Sequence, residues 1–224
     1  MPRIEKTVFL SYRRADLGWA RAIYQCLQER GYDVFFDFTG LASGKFESVI
    51  IDNIKARAHF LVLLTARALE RCNQPDDWLR REIETAIATQ RDIVPLMFEG
   101  FDFESPEIAK QLNGKLAELK DYNGLPIPRA YFDDAMERLC DKYLKVAVDA
   151  KLHPASSYAR EAAKKEQLSA TAALDRTPNG RTSAKATRGV MERGLAEQGA
   201  LQRRAAEAQR KAAGEVQRKA AEEA

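Results

Sequence analysis

The chain has 224 residues, of which 36 are basic and 33 acidic, so its formal net charge is only +3. Its three cysteines, Cys26, Cys72 and Cys140, are widely spaced and accompanied by two histidines, which argues against a zinc site or a disulfide framework and fits a reducing cytosol. Because no apolar run is long enough to span a bilayer and no signal-type segment follows Met1, we expect a soluble cytoplasmic protein.

The first half of the chain alternates apolar strands with helical periods. Strands are predicted at residues 7–12, 34–36, 59–65 and 93–98, and helices at residues 17–30, 47–56 and 76–89. Residues 59–65 are almost entirely apolar, which predicts a strand buried on both faces. Pro95 lies inside the fourth strand and predicts an edge-like or bulged position.

Beyond Gly100 the pattern is weaker. We predict a helix at residues 106–119, a short strand at 119–123 and a helix at 131–148. This alternation predicts an α/β domain of the flavodoxin-like type, with a parallel sheet between helices on both faces. Ligands of such sheets bind at the carboxyl ends of the strands, where Tyr12 to Arg14 and Asp37 are expected.

The composition changes near residue 150. Residues 1–149 form the predicted domain and carry three more acidic than basic residues, whereas residues 150–224 carry six more basic ones. We expect residues 150–188 to be a disordered polar linker and residues 189–224 to be an Ala/Arg/Lys/Glu/Gln-rich tail, either helical or disordered. Because acidic residues are mixed into the tail, we expect it to bind neither nucleic acid nor membrane.

One pattern suggests a ligand site. Trp78 and Glu82 are four residues apart, so they share one face of a predicted helix. With Tyr12 and its two following arginines nearby, one carboxylate would lie beside guanidiniums and aromatic rings, which suits a charged ligand that contains rings. Taken alone, Glu82 could equally be a surface glutamate paired with a neighbouring arginine, and Trp78 could simply pack on the sheet.

Five segments together resemble the TIR (Toll/interleukin-1 receptor) domain family. They are Val8-Phe9-Leu10-Ser11-Tyr12-Arg13-Arg14, then Val34-Phe35-Phe36-Asp37 with Gly44-Lys45-Phe46-Glu47, then Trp78-x-x-x-Glu82-Ile83, and finally Ile93-Val94-Pro95-Leu96. The chain is most similar to the NAD-cleaving branch, which includes bacterial antiphage proteins and the animal axon-degeneration enzyme. The resemblance covers roughly residues 6–145.

The resemblance implies a set of site residues. Glu82 would be the catalytic carboxylate. The substrate-binding residues would be Tyr12, Arg13, Arg14, Asp37, Phe46 and Trp78. Three further residues, Gly40, Gly44 and Lys45, would belong to a loop used in assembly. An aromatic residue that contacts a neighbouring subunit's substrate in the axonal enzyme aligns here with Ile127 or, shifted, with Tyr131.

The implied function is NAD⁺ nucleosidase or ADP-ribosyl cyclase activity, switched on by self-association, in bacterial defence signalling or NAD⁺ depletion. NAD⁺ would be the substrate, no cofactor or metal would be required, and a downstream effector would be a further partner. Whether the product is linear or cyclic stays open. The alternative is a non-enzymatic TIR adaptor that docks on other TIR domains. A phosphoryl-accepting receiver is set aside, because Ser11 to Arg14 occupy the place where such a protein needs metal-binding acids.

Overall fold

The chain folds around one sheet of five parallel strands. In the computed structural model, which describes residues 6–37, 46–145 and 152–175, they are β1 (Thr7–Ser11), β2 (Asp33–Phe35), β3 (His59–Leu64), β4 (Asp92–Phe98) and β5 (Leu125–Ile127). Their spatial order is β2-β1-β3-β4-β5. The strand order reverses between β1 and β3, so a switch point, where ligands of such sheets bind, lies at the carboxyl end of β1.

Helices cover both faces of the sheet. They are α1 (Leu17–Glu29), α2 (Phe46–Ala56), α3 (Trp78–Ala88), α4 (Pro106–Ala109), α5 (Phe132–Arg138) and α6 (Ser157–Asp175). On one face, Trp19 of α1 packs against Phe98 and Phe132. On the other, Ile54 of α2 and Ile83 of α3 join the core built on the strands. The predicted flavodoxin-like three-layer fold is confirmed.

The region after β4 differs from its prediction. Residues 119–123 form no strand; Gly114–Asp121 is a 3₁₀ helix and the last strand is β5. This strand has only three residues and exposes Pro126, so its sequence shows neither the length nor the unbroken apolar run of an internal strand. Proline is tolerated there because β5 lies at an edge of the sheet, where one side of it pairs with no other described strand.

Pro95 lies in an internal strand, where its ring removes one backbone donor. On the β3 side it is in register with Val62. On the other side β5 pairs with Leu96, Met97 and Phe98, so none of the described strands runs beside Pro95 there. The edge-like position predicted for this proline therefore exists on one side of β4.

Residues 157–175 form a helix, although the sequence was expected to give a disordered linker over residues 150–188. α6 packs on α2 and on β2, with Ala159, Ala163 and Ala170 buried. Small alanines let the helix approach closely, and a pattern without large apolar residues gives little sequence signal for packing. The tail at residues 189–224 lies outside the described residues.

Polar side chains fix α6 on the edge of the sheet. Gln167 donates its amide to the backbone oxygen of Val34 at 3.0 Å and to Asp33 Oδ1 at 2.6 Å. Asn53 of α2 donates to the backbone oxygen of Ala159 at 3.3 Å. Among the described strands β2 pairs only with β1, so α6 covers an edge that could otherwise pair with another chain.

Ala163→Glu is expected to lower the free energy of unfolding by about 2–4 kcal/mol, because a charge would replace a buried methyl group. The loss cannot exceed the free energy with which α6 packs on α2 and β2, because the helix would then detach. Ala172→Glu is a matched control, since Ala172 is exposed on the same helix, and it should change stability by less than about 0.5 kcal/mol. Urea unfolding curves measure both. Equal stabilities would show that α6 does not contribute to the folded domain.

No helix in the described part of the chain has both the length and the apolarity needed to cross a membrane.

Candidate active site

A carboxylate and a hydroxyl meet at the switch point of the sheet. Ser11 is the last residue of β1 and Glu82 lies in the second turn of α3. The Ser11 hydroxyl donates a hydrogen bond to Glu82 Oε2 at 2.5 Å. Because β1 and β3 are neighbours and α3 follows β3, the fold brings these two residues together across 71 positions of sequence.

The environment of Glu82 favours its neutral form. Part of the residue stays open to solvent, yet protein atoms surround its carboxyl closely, and this burial raises the pKa to about 8. The hydrogen bond from Ser11 and the charge of Arg13 oppose the rise, whereas the charges of Asp37 and Asp77 add to it. Functional sites are where such strongly shifted carboxyls concentrate.

This shift has a consequence for stability. The pKa of Glu82 is raised above its ordinary value of 4.5, so between about pH 4.5 and pH 8 the folded state holds a proton that the unfolded state releases. The contribution of Glu82 to stability therefore falls as the pH rises through this window. Replacing it with neutral glutamine should remove that loss.

Glu82→Gln is expected to raise the free energy of unfolding relative to the parent by about 1–3 kcal/mol more at pH 8.5 than at pH 5. Urea unfolding at the two pH values measures the difference. Glu118→Gln removes an exposed carboxylate and controls for the loss of one charge. Parallel pH dependence in the parent and in Glu82→Gln would contradict the raised pKa.

An ion pair joins the end of β1 to the start of α3. Arg13 donates to both carboxylate oxygens of Asp77, with Nη1–Oδ2 at 2.5 Å and Nη2–Oδ1 at 2.8 Å. Its Nε donates to the backbone oxygen of Ala68 at 2.5 Å, and Nη2 lies 3.3 Å from Cys72 Sγ. All three guanidinium nitrogens are therefore engaged by the loop that precedes α3, which gives Arg13 a structural role.

Asp77 is the N-cap of α3. Its side chain is 2% exposed and accepts a hydrogen bond from the backbone nitrogen of Arg80 at 3.1 Å, as Asp does at helix starts. Burial alone would raise the pKa of this carboxyl, but Arg13 and the capping bond outweigh it and lower the pKa. The Arg13–Asp77 clamp thus fixes the first turn of α3, one turn before Glu82.

Tyr12, Arg14 and Asp37 form a second group at the same edge. Tyr12 donates its hydroxyl to the backbone oxygen of Asp37 at 2.6 Å, and burial raises the pKa of that hydroxyl. Arg14 Nη2 lies 3.0 Å from Asp37 Oδ2, with the arginine side chain 47% exposed. A cation that is half open to solvent can reach an incoming anion, whereas Arg13 is only 18% exposed and already engaged.

Trp78 opens α3 and lies on the helix face expected from its spacing to Glu82. It is 40% exposed, and the guanidinium carbon of Arg81 lies 4.9 Å from the centroid of its ring. Arg81 also forms an ion pair with Glu47 at the start of α2. This indole presents an accessible aromatic surface on α3, four residues before Glu82.

The structure places Tyr12, Arg13, Arg14, Asp37 and Glu82 at the carboxyl edge of the sheet, and Trp78 lies four residues before Glu82 on α3. Gly40, Gly44 and Lys45 lie outside the described residues, as does the side chain of Phe46. Of the two candidates for the aromatic position, Ile127 is buried in β5, whereas Tyr131 precedes α5 and is 64% exposed. Sequence reasoning missed Ser11 and Asp77 as members of the site.

Across residues 6–37, 46–145 and 152–175, no group of three or more His, Cys, Asp or Glu side chains is placed to hold a metal ion. His59 lies at the start of β3, at the opposite end of the sheet from Glu82. It is fully buried, and its Nδ1 is 2.6 Å from Asp92 Oδ2.

The fold and the carboxyl-edge site define a class of protein, and a family model agrees with it. The TIR domain model matches residues 8–140, which is more than half of the chain. The chain therefore belongs to the TIR domain family.

Three curated relatives are similar to part of the chain. The NAD(+) hydrolase tir-1 of Caenorhabditis elegans is 35% identical over 136 residues, which is 59% of this chain and 14% of that protein. The NAD(+) hydrolase sarm1 of Drosophila melanogaster is 32% identical over 142 residues, covering 62% and 10%, and SARM1 of Danio rerio is 29% identical over 136 residues, covering 59% and 18%. The match thus spans less than a fifth of each relative. The bacterial subtype expected from the sequence stays a prediction.

Two solved structures show a distant likeness. A metazoan TIR-STING receptor from C. gigas, in complex with 2',3'-cGAMP, is 19% identical with a TM-score of 0.45, over 65% of this chain and 41% of that one. The TIR domains of the activated Roq1 resistosome are 20% identical with a TM-score of 0.37, over 83% of this chain and 97% of that one.

Proposed function

We propose that this TIR domain cleaves the bond between nicotinamide and ribose in NAD⁺, with Glu82 as the catalytic carboxylate. The observation that carries the proposal is the closely surrounded Glu82 carboxyl at the switch point, which accepts a hydrogen bond from Ser11. Trp78 lies on the same helix and is 40% exposed, and the half-exposed Arg14 follows β1 at the same edge of the sheet. Three proteins to which the chain is similar are named NAD(+) hydrolases.

The proposed chemistry requires only one carboxylate. The C1′–N1 bond breaks with its electron pair moving to the nicotinamide ring, which leaves as a neutral molecule and needs no general acid. Positive charge builds on the ribose, as in glycoside hydrolysis, and an adjacent carboxylate stabilises it. Water then attacks C1′ and loses a proton, which gives ADP-ribose. Attack by an atom of the adenine ring would instead give a cyclic product.

The raised pKa of Glu82 fits a cationic substrate. In the ligand-free protein the carboxyl holds its proton at neutral pH, because burial raises the pKa to about 8. A positively charged nicotinamide ring beside it would favour the ionised form and release that proton. The carboxylate would then be ionised while the substrate is bound. No metal or cofactor enters this scheme.

The remaining substrate contacts follow from exposure. Arg14 is the guanidinium proposed for the pyrophosphate, because it is half open to solvent. Arg13 would act indirectly, through its clamp on Asp77. Trp78 offers a ring face for one of the two bases of NAD⁺. Tyr12 and Asp37, joined by a hydrogen bond, would line the site next to Arg14. Phe46, with the assembly residues Gly40, Gly44 and Lys45, stays part of the proposal from the sequence alone.

A TIR adaptor acting by docking alone is the competing function. Docking through residues 38–45 would gain nothing from a carboxyl that is enclosed at the switch point, where burial disfavours its charged form. This observation favours the enzyme. Activation by self-association, a downstream effector, a cytoplasmic location and a role in bacterial defence belong to the same proposal and rest on the resemblance.

The proposal is tested by incubating concentrated full-length protein with NAD⁺ and separating the products by chromatography with mass detection. We expect nicotinamide together with ADP-ribose or its cyclic form. If assembly activates the protein, the rate per molecule should rise with protein concentration. If NAD⁺ stayed intact at the highest soluble protein concentration, while light scattering showed that the protein had assembled, the result would favour the adaptor.

A further inference from the structure

Ser11 is the only residue of β1 whose side chain reaches the Glu82 carboxyl through a described hydrogen bond. It is 1% exposed, and its hydroxyl donates to Oε2 at 2.5 Å. A buried hydroxyl without a hydrogen-bond partner would cost free energy. Among the described side-chain hydrogen bonds, the partner of the Ser11 hydroxyl is the Glu82 carboxyl. The contact is short, as hydrogen bonds from a hydroxyl to a carboxylate are.

We infer that Ser11 is a positioning residue for the proposed reaction, because its hydroxyl holds Oε2 of Glu82 and leaves Oε1 for the ribose. This inference rests on the proposed function. One fixed oxygen removes most of the rotation of the carboxyl group, so the second oxygen keeps a single direction. Such preorganisation matters most in the transition state, where the charge on the sugar is largest.

The hydroxyl also favours the ionised form of the Glu82 carboxyl. A donor to Oε2 stabilises the ionised form, and Ser11 is the strongest of the influences that lower the pKa of Glu82 against its burial. The other charged or titratable groups that act on this site are Asp37 after β2, Arg13 after β1, Asp77 at the cap of α3 and Tyr12. None of these donates a described side-chain hydrogen bond to the carboxyl.

Ser11→Ala tests the inference through kinetics across pH. We expect kcat to fall roughly ten- to a hundredfold with KM changed less than about threefold, since a hydrogen bond to a charged group is lost. The rise of kcat/KM with pH reports the pKa of Glu82 in the free protein. This limb of the pH profile should move to higher pH by about one unit. Ser11→Thr keeps the hydroxyl and should restore the position of the limb.

Thr65→Val is the matched control. Thr65 follows β3 at the same edge of the sheet, and its hydroxyl donates to Asp16 Oδ2 at 3.1 Å rather than to Glu82. This variant should keep the pH limb of the parent. A limb that does not move in Ser11→Ala, or that moves equally in Thr65→Val, would overturn the inference.

A second readout needs no activity. Carbon-13 NMR titration of the glutamate carboxyls, assigned with Glu82→Gln, measures the pKa of Glu82 directly in the parent and in Ser11→Ala. An upward shift supports the role of Ser11 even if NAD⁺ is not cleaved, in which case only the proposed function fails. An unchanged pKa, with NAD⁺ cleavage intact, would overturn the inference and leave the function standing.

Discussion

Glu82→Gln should lower the rate of NAD⁺ cleavage by a factor of about 10²–10³, the usual loss when one stabilising group is removed from a charged transition state. Glutamine has nearly the same shape, and its amide oxygen can still accept the hydrogen bond from Ser11. The loss therefore reports the missing negative charge rather than a changed fold. Chromatography of NAD⁺ and nicotinamide over time measures the rate.

Glu84→Gln is the matched control on the same helix. Glu84 forms an ion pair with Arg80 at 2.8 Å and does not belong to the site. It should keep the rate of the parent within about threefold, since the loss of such a partly exposed pair costs little. If Glu82→Gln cleaved NAD⁺ as fast as Glu84→Gln, Glu82 would not be the catalytic residue, even in an active protein.

Arg13→Ala is expected to lower the free energy of unfolding by about 2–4 kcal/mol, because it leaves the buried carboxylate of Asp77 without its partner. The same change also loosens the cap of α3. Arg14→Ala, at the adjacent position, removes a half-exposed pair with Asp37 and should cost less than about 1 kcal/mol. Urea unfolding curves compare the two variants.

A double variant separates the ion pair from other effects of Arg13. Adding Asp77→Asn to Arg13→Ala removes the uncompensated charge, while asparagine still caps the helix. Part of the lost stability should return, which gives a coupling energy of at least about 1 kcal/mol. Equal stability losses for Arg13→Ala and Arg14→Ala would contradict the structural role of the clamp.

The strands and main helices could be predicted because their signals are local. The apolar run of β3 indicates burial on both faces, and the four-residue spacing of Trp78 and Glu82 places both on one helix face. The order of these elements was enough to predict the sheet. β5 escaped prediction because three residues with a central proline resemble a turn more than a strand.

Ser11 and Asp77 could not be recognised as site residues from the sequence. A serine at the end of a strand can be recognised as a site residue only once the β1–β3 pairing places it against Glu82 of α3. The adjacent arginines look equivalent in the sequence, yet the fold pairs Arg13 with the buried Asp77 and leaves Arg14 half open. The one signal for Asp77 was an aspartate close to the predicted start of the helix, which is typical of an N-cap.

Helix α6 at residues 157–175 was not predicted for a different reason. Its buried side chains are alanines, and alanine on a helix is equally common on exposed faces. The packing of α6 depends on the shape of α2 and on the amide of Gln167 at the β2 edge, neither of which is visible in the composition of the segment itself.

The central claim is that the Glu82 carboxyl lies against the nicotinamide-bearing ribose. A crystal structure with an NAD⁺ analogue whose glycosidic bond resists cleavage tests it most directly. We predict Oε1 of Glu82 within about 3 Å of a ribose hydroxyl, while Oε2 keeps its bond to Ser11. An analogue bound in the same crystal with its ribose far from Glu82 would contradict the account.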